Sequence, residues 1–307
     1  MTSKHETEID LEDRNRSHTL IVELVGRDKR ILDVGASTGY LAEVFMERGC
    51  TVTGIEIDLV AAHRAEEHCE KVIVGDVETL DLCEELGGEL FDVIVFGDVL
   101  EQLKDPLPTL IHLKSFLSSE GYVIASIPNV AHGSVRLALM QGKFEYLPFG
   151  LLDETHLRFF TRESVEQLFD AAGFSITGLE RTTRDILETE IKVNTEAIED
   201  EILELVREAP EATTYQFVVK ARPSDEGGPA TRAYGRLETL LEQIAERDQM
   251  IYELTRKLRN FEELQRILNI RTRQLAEKEQ EVAMLTQEIA ERNDELAKLE
   301  QFGRRNV

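Results

Sequence analysis

Between residues 18 and 130, short β-branched runs alternate with helical stretches, and this rhythm restricts the possible folds more than any other feature of the chain. "RILDVG", "TVTGIEID", "KVIVGDV", "FDVIVFGD" and "GYVIASIPN" read as five buried strands. Amphipathic segments such as "LAEVFMERG" and "AAHRAEEHCE" lie between them. Strands that are apolar on both faces and separated by helices imply a parallel sheet covered on both sides.

The rhythm changes after residue 130. "TRESVEQLFDAAGF" reads as a helix with Thr161 as N-cap, Glu163 or Ser164 in its first turn, and Gly173 as its stop. "FSITGLERTTR" and "TTYQFVVKARP" read as two strands that pair at one edge of the sheet, with a helical, acidic stretch over 185–209 between them. The expected fold is thus a Rossmann-like, doubly wound α/β sheet of seven strands over residues 17–222. A disordered acidic arm, 1–16, is expected before it. "RPSDEGGPATR" has linker composition and marks a linker over 223–235. Beyond it, Leu237, Ile244, Ile251 and Leu258 recur every seventh residue. After a three-residue slip the repeat resumes as Leu268, Leu275, Val282, Ile289 and Leu296. This pattern predicts a coiled coil over 236–301, and with it a homo-oligomer or a helical docking partner.

Charge and cysteines narrow the setting. The chain has 35 basic and 60 acidic residues, a net charge of −25. Such a surface repels phosphate backbones, so nucleic acid is not an expected partner. Cys50, Cys69 and Cys83 are irregularly spaced, which fits a reducing cytoplasm and no zinc site. No apolar run reaches the roughly eighteen residues of a membrane span, and the polar N-terminus has no signal-peptide core.

"LDVGASTGY" follows the first strand and opens a helix. Gly35 and Gly39 let backbone approach a ligand, with Ala36 and Ser37 between them. A dinucleotide fingerprint requires G-x-G-x-x-G, but Ser37 and Tyr40 occupy its second and third glycine positions. No G-K-[ST] phosphate loop is present either. Acidic residues end three strands instead. Asp33 suits a ligand ammonium, Glu56 both ribose hydroxyls, and Asp76 an adenine amino group. Ile57, Val77 and Gly97 flank these strand ends and are expected to line the same site. Asp98 either lines the far end or caps a helix over "VLEQL". A ligand with an amino acid at one end and adenosine at the other meets all three acids, and S-adenosylmethionine is that ligand.

The order "DVGASTG", "GIEID", "GDVE" and "FDVIVFGDVLEQLKDP" resembles the class I S-adenosylmethionine-dependent methyltransferases over about residues 17–222. Two positions depart from the family pattern. Ser37 replaces the middle glycine, and Gln102 stands where many relatives have histidine. The runs "PNVAHGSVRL" and "GLLDETHLRFFT", with the coiled coil beyond, are similar to a branch found with cell-surface glycan synthesis. That resemblance implies O-methylation of a sugar or glycan intermediate, with a glycosyltransferase as a further candidate partner.

"DETHLRFF" ends a long excursion from the fifth strand and is expected to form one wall of an acceptor pocket. A hydroxyl acceptor must lose its proton as it attacks, and His132 and His156 are the candidate bases. Asp153 is placed to orient His156. Arg158 is expected to hold an acidic or phosphorylated part of the acceptor, and Glu101 to bind the acceptor with it. Phe159 and Phe160 are expected to pack the wall. A metal site from His132, Asp153, His156 and Glu101 lacks a compact ligand motif, and no metal is expected. Two rival readings remain open at this point. One is methylation of a small phenolic, quinone or lipid precursor, which predicts an apolar pocket where a glycan predicts a polar one. The other is a cofactor-binding scaffold without turnover.

Overall fold

The computed structural model describes residues 10–224 and scattered positions between 247 and 284. The β-branched runs form strands as expected: β1 (Arg30–Val34), β2 (Thr51–Glu56), β3 (Lys71–Val74), β4 (Phe91–Gly97) and β5 (Leu117–Pro128). These five pair in parallel. β6 (Phe174–Thr183) and β7 (Thr214–Pro223) complete a sheet in the order β3-β2-β1-β4-β5-β7-β6. β7 is antiparallel to both of its neighbours, so β6 reaches the sheet only through it.

Alternate side chains of each strand serve opposite layers. Ile31, Val52, Val95 and Ile124 pack beneath α1 (Ser17–Val25) and α2 (Tyr40–Glu47). The following helix, α3 (Leu59–Ala65), is started by Asp58, whose carboxylate accepts from Val60 N and Ala61 N. Leu32, Val34, Ile94 and Phe96 face the other layer, with α4 (Leu82–Leu86), α5 (Pro106–Leu113) and α7 (Arg162–Ala171). Thr161 and Ser164 make a reciprocal capping box at the start of α7, and Gly173, at φ 76°, follows its end. Gly is needed there because that backbone region is strained for other residues.

A roof rises beyond the carboxyl ends of the strands. It comprises α6 (Gly133–Met140), the segment 141–160, and residues 184–213 with α8 (Asp200–Arg207). Two small cores of its own hold it. Val135, Leu151, Leu152 and Ile191 form one, and Leu137, Ile186, Val206 and Ala212 the other.

Three expectations are corrected here. "VLEQL" forms turns rather than a helix, so Asp98 caps nothing. Most of 185–209 is irregular apart from α8 and one short turn of 3₁₀ helix. Its polar residues are spent on tertiary bonds: Asp185 pairs with Arg207 at 2.7 Å, and Glu190 accepts from Leu151 N at 2.6 Å and from the Tyr215 hydroxyl at 2.9 Å. Finally, residues 10–16 are not a loose arm. Asn15 brackets Thr183 on the β6 edge, donating to its carbonyl at 2.8 Å and accepting from its amide at 2.7 Å.

The chain divides into two units, Met1–Arg232 and Ala233–Val307. The heptad stretch lies largely outside the described residues; Ile251 and Leu275, which are described, are helical and exposed. Among the described residues no helix is long and apolar enough to cross a membrane.

Candidate active site

Parallel α/β sheets leave a crevice beyond the carboxyl ends of their strands. Here that crevice is a cleft of about 1090 Å³ bounded by the ends of β1, β2, β4 and β5 and by the roof. Its floor is the turn after β1. Gly35 (φ 77°), Ser37 (φ 49°) and Gly39 (φ 78°) all adopt left-handed backbone, which carries the chain sharply from strand to helix. Ser37 bears this conformation without being glycine, and its amide is anchored to Glu56 Oε2 at 2.7 Å. Glu56 Oε1 accepts from Asp58 N at 2.8 Å. One carboxylate therefore ties the β1 turn to the β2 turn across the floor. Gly39 packs flat on α3, where an added Cβ would stand 2.9 Å from the Ala65 backbone.

Gly35, Ser37, Glu56, Ile57, Asp76, Val77, Gly97 and Asp98 all line the cleft. Ala36 is buried beneath it and Gly39 beside it. Asp33 is also below the surface of the cleft, fully buried, and its Oδ2 has no hydrogen-bond partner among the described residues. Burial, with Glu56 nearby, pushes its pKa up to about 7. Its position is thus not the open crevice expected from the sequence. Asp98 is held firmly: its Oδ1 accepts from Ser126 Oγ at 2.6 Å and from Gln216 Nε2 at 2.9 Å.

The roof brings His156 and Asp153 to the same cleft, together with Thr155 and Phe149, and β7 adds Tyr215. His156 is buried, and burial lowers its pKa below the ordinary histidine value despite Asp153 and a bond to the Leu151 carbonyl. The imidazole is therefore neutral at neutral pH and able to accept a proton. Asp153 Oδ1 accepts from Thr155 N at 2.8 Å and Thr155 Oγ1 at 2.7 Å, which fixes the turn preceding the ring. Phe159 packs edge-on against Phe144 at 5.5 Å and against His156 at 6.3 Å.

Three expected residues are placed elsewhere. His132 is buried away from the cleft as the N-cap of α6. Its Nδ1 accepts from Ser134 N at 3.2 Å and its Nε2 lies 3.1 Å from the Arg184 carbonyl, so both nitrogens are committed. That placement does not fit a base. Arg158 is exposed and does not line the cleft; its Nε donates to the Lys104 carbonyl at 2.9 Å, so it does not grip an acceptor. Glu101 is fully buried; neither carboxylate oxygen has a hydrogen-bond partner among the described residues, and His156 Nε2 lies 3.9 Å away. Burial raises its pKa well above the ordinary value, so it holds a proton rather than an acceptor. Among the described residues no group of three or more His, Cys, Asp or Glu is placed to hold a metal ion.

Other cleft residues were not anticipated. Gln216 arrives from β7, and His18 from α1, where it meets the Tyr40 hydroxyl at 3.2 Å. No local pattern marks either one, because their partners are distant in sequence.

The acids at the cleft suit a cationic ligand and repel pyrophosphate. With the β3-β2-β1-β4-β5-β7-β6 order, they define a class I S-adenosylmethionine-dependent methyltransferase domain. A family described as "Methyltransferase domain" matches residues 12–179, and the chain belongs to that family. Among curated relatives, the ubiquinone biosynthesis O-methyltransferase of Actinobacillus pleuropneumoniae serotype 5b (strain L20) is 29% identical over 134 residues, 40% of this chain and 56% of the relative. The enzyme of the same description from Dinoroseobacter shibae is 30% identical over 148 residues, 47% of this chain and 59% of that relative. The chain thus spans little more than half the length of these relatives. Among solved structures, the Burkholderia thailandensis 1,6-didemethyltoxoflavin-N1-methyltransferase, with 1,6-didemethyltoxoflavin and S-adenosylhomocysteine bound, is 20% identical, with a TM-score of 0.45 over 68% of this chain and 77% of that one.

Proposed function

We propose that the protein transfers the methyl group of S-adenosylmethionine to a hydroxyl on a small phenolic or quinone-type ring. The observation that carries this reading is the aromatic wall at the acceptor end. Phe149, His156 and Tyr215 line the cleft, and Phe159, with Phe144 and Tyr146 against it, packs edge-on against His156 outside the lining. Flat apolar faces favour a flat acceptor through offset and edge-to-face contacts. A sugar, with a hydroxyl on most carbons, would leave several polar groups unpaired against such a wall. The relatives named for ubiquinone biosynthesis support the same acceptor class over the glycan that one stretch of sequence suggests.

The cofactor supplies an electrophilic methyl on sulfur. Glu56, with lone pairs beyond those taken by Ser37 N and Asp58 N, accepts from the ribose hydroxyls, and Asp76 from the adenine edge. Asp98, fixed by Ser126 and Gln216, faces the methionine end. His156 takes the proton of the acceptor hydroxyl as it attacks. A phenol, with an ordinary pKa near 10, releases that proton far more readily than a sugar hydroxyl. The roof holds the ring and excludes water.

Two measurements test the reading. Labelled S-adenosylmethionine is expected to methylate a catechol such as 3,4-dihydroxybenzoate and not a free hexose. Methylation of the hexose alone would return the acceptor to the glycan class, and no transfer to either would support the scaffold without turnover. Glu56→Ala is expected to weaken S-adenosylhomocysteine binding by roughly 1 to 3 kcal/mol, since charge-assisted bonds to ribose are lost. Calorimetric affinities equal to the wild type would remove Glu56 from the site.

A further inference from the structure

Arg158 carries a charge on the segment of the acceptor wall yet does not line the cleft. Its guanidinium is spent on a backbone carbonyl, that of Lys104, to which Nε donates at 2.9 Å and Nη2 also donates. The same peptide unit is held at its other end. The Asp105 amide, bonded covalently to that carbonyl carbon, donates to Glu78 Oε1 at 2.8 Å. The Lys104 amide donates to Glu78 Oε2 at 3.0 Å. A carboxylate, one peptide group and a guanidinium therefore stand in a line, each bond polarising the next. Both outer bonds are charge-assisted, the stronger kind.

The ends of this line belong to different parts of the site. Glu78 lines the cleft next to Asp76, whose Oδ1 accepts the Glu78 amide at 2.9 Å. The middle is the turn 98–105, which contributes Asp98, Val99, Gln102, Leu103 and Lys104 to the cleft. The far end is the segment that carries Asp153 and His156. Its Leu157 and Arg158 amides both donate to the Glu101 carbonyl, at 2.8 and 2.9 Å. The acceptor wall thus hangs on the cofactor-side turn by backbone bonds, and Arg158 locks the joint.

We infer that Arg158 is a positioning residue: through the 104–105 peptide it couples ligand occupancy beside Glu78 to the placement of the His156 segment. The inference rests on the proposed reading only in calling that segment the acceptor wall. Coupling between sites is a free energy shared by both, so it is measurable from the cofactor side alone.

The test is hydrogen exchange on the full chain, with and without S-adenosylhomocysteine. In the wild type the ligand is expected to slow exchange across 98–105 and also at the Leu157 and Arg158 amides, the latter by about fivefold or more. In Arg158→Met the protection across 98–105 should persist while the ligand-dependent protection at 157–158 disappears. Arg158→Lys, which keeps one donor, should restore part of it. If Arg158→Met fails to fold, Glu78→Gln reads the coupling from the opposite end, with the same loss at 157–158. Undiminished ligand protection at 157–158 in the folded variant overturns the inference, as does its absence in the wild type. The exchange readout needs no acceptor. A failure to methylate catechols therefore sinks the acceptor reading without touching this one.

Discussion

His156→Ala should reduce methyl transfer by at least a hundredfold, by roughly the factor that loss of a general base removes, while S-adenosylhomocysteine binds as before. The separation follows from the placement of the ring. His156 lies on the roof, beside Phe159 and Asp153, whereas Glu56 and the β1 turn form the floor. The pH dependence gives a second, independent readout. Burial lowers the pKa of His156 below the ordinary histidine value, so the neutral ring takes over at a lower pH than it would in water. The rate should rise with pH through a limb centred below the ordinary histidine value of about 6.5, then level off. In the alanine variant that limb should vanish. A rate within a few-fold of the wild type would leave the segment as packing alone. A limb centred above the ordinary value would contradict the burial argument.

Asp33 should make the ligand-free protein less stable as pH rises from about 4 to 7. Its pKa is about 7 in the folded chain, against an ordinary 3.8 for an aspartate in water. The folded state therefore binds the proton more tightly than the unfolded chain does. The stability linked to that proton is fully present below about pH 4 and is lost as pH rises toward 7. At pH 7 the difference amounts to about 4 kcal/mol. Denaturant unfolding over this range is the measurement, with Asp33→Asn as the reference. The variant cannot titrate, so subtracting its curve from the wild type isolates Asp33 from Glu101, which is buried in both. A difference curve that is flat, or that slopes the other way, would show that Asp33 ionises freely in the fold.

Much of the floor of the site is legible in the sequence because it is local. A strand, a left-handed turn and a helix follow one another within "ILDVGASTGY", and acids that end successive parallel strands must gather on one side of the sheet. The α7 cap is local too, since Thr161 and Ser164 are three residues apart. The roof is different. A histidine after a strand reads alike whether it meets solvent or the carbonyl of a residue 52 positions later, as His132 does at Arg184. Arg158 has a partner 54 positions earlier, and its chemistry there, a carbonyl rather than an anion, leaves no trace in local composition. The turn at "VLEQL" has helical residues but Gln102 donates back to the Asp98 carbonyl at 2.7 Å, and the segment ends at Pro106 before a full helix forms.

The position of β7 has a consequence in time. It is the last strand of the domain to be synthesised, yet it lies inside the sheet, between β5 and β6. A nascent chain that has just completed β6 has no neighbour to receive that strand. Asp98 likewise waits for Gln216, 118 residues further on, and Tyr215 reaches the cleft on the same strand. Translation must therefore pass beyond residue 216, and the newest segment must slot between two older ones, before the cleft acquires its final shape. Until then a half-made chain carries the glycine turn, Glu56 and the Ser126 bond to Asp98, but neither Gln216 nor Tyr215, so the cleft is completed only by the last strand to be made.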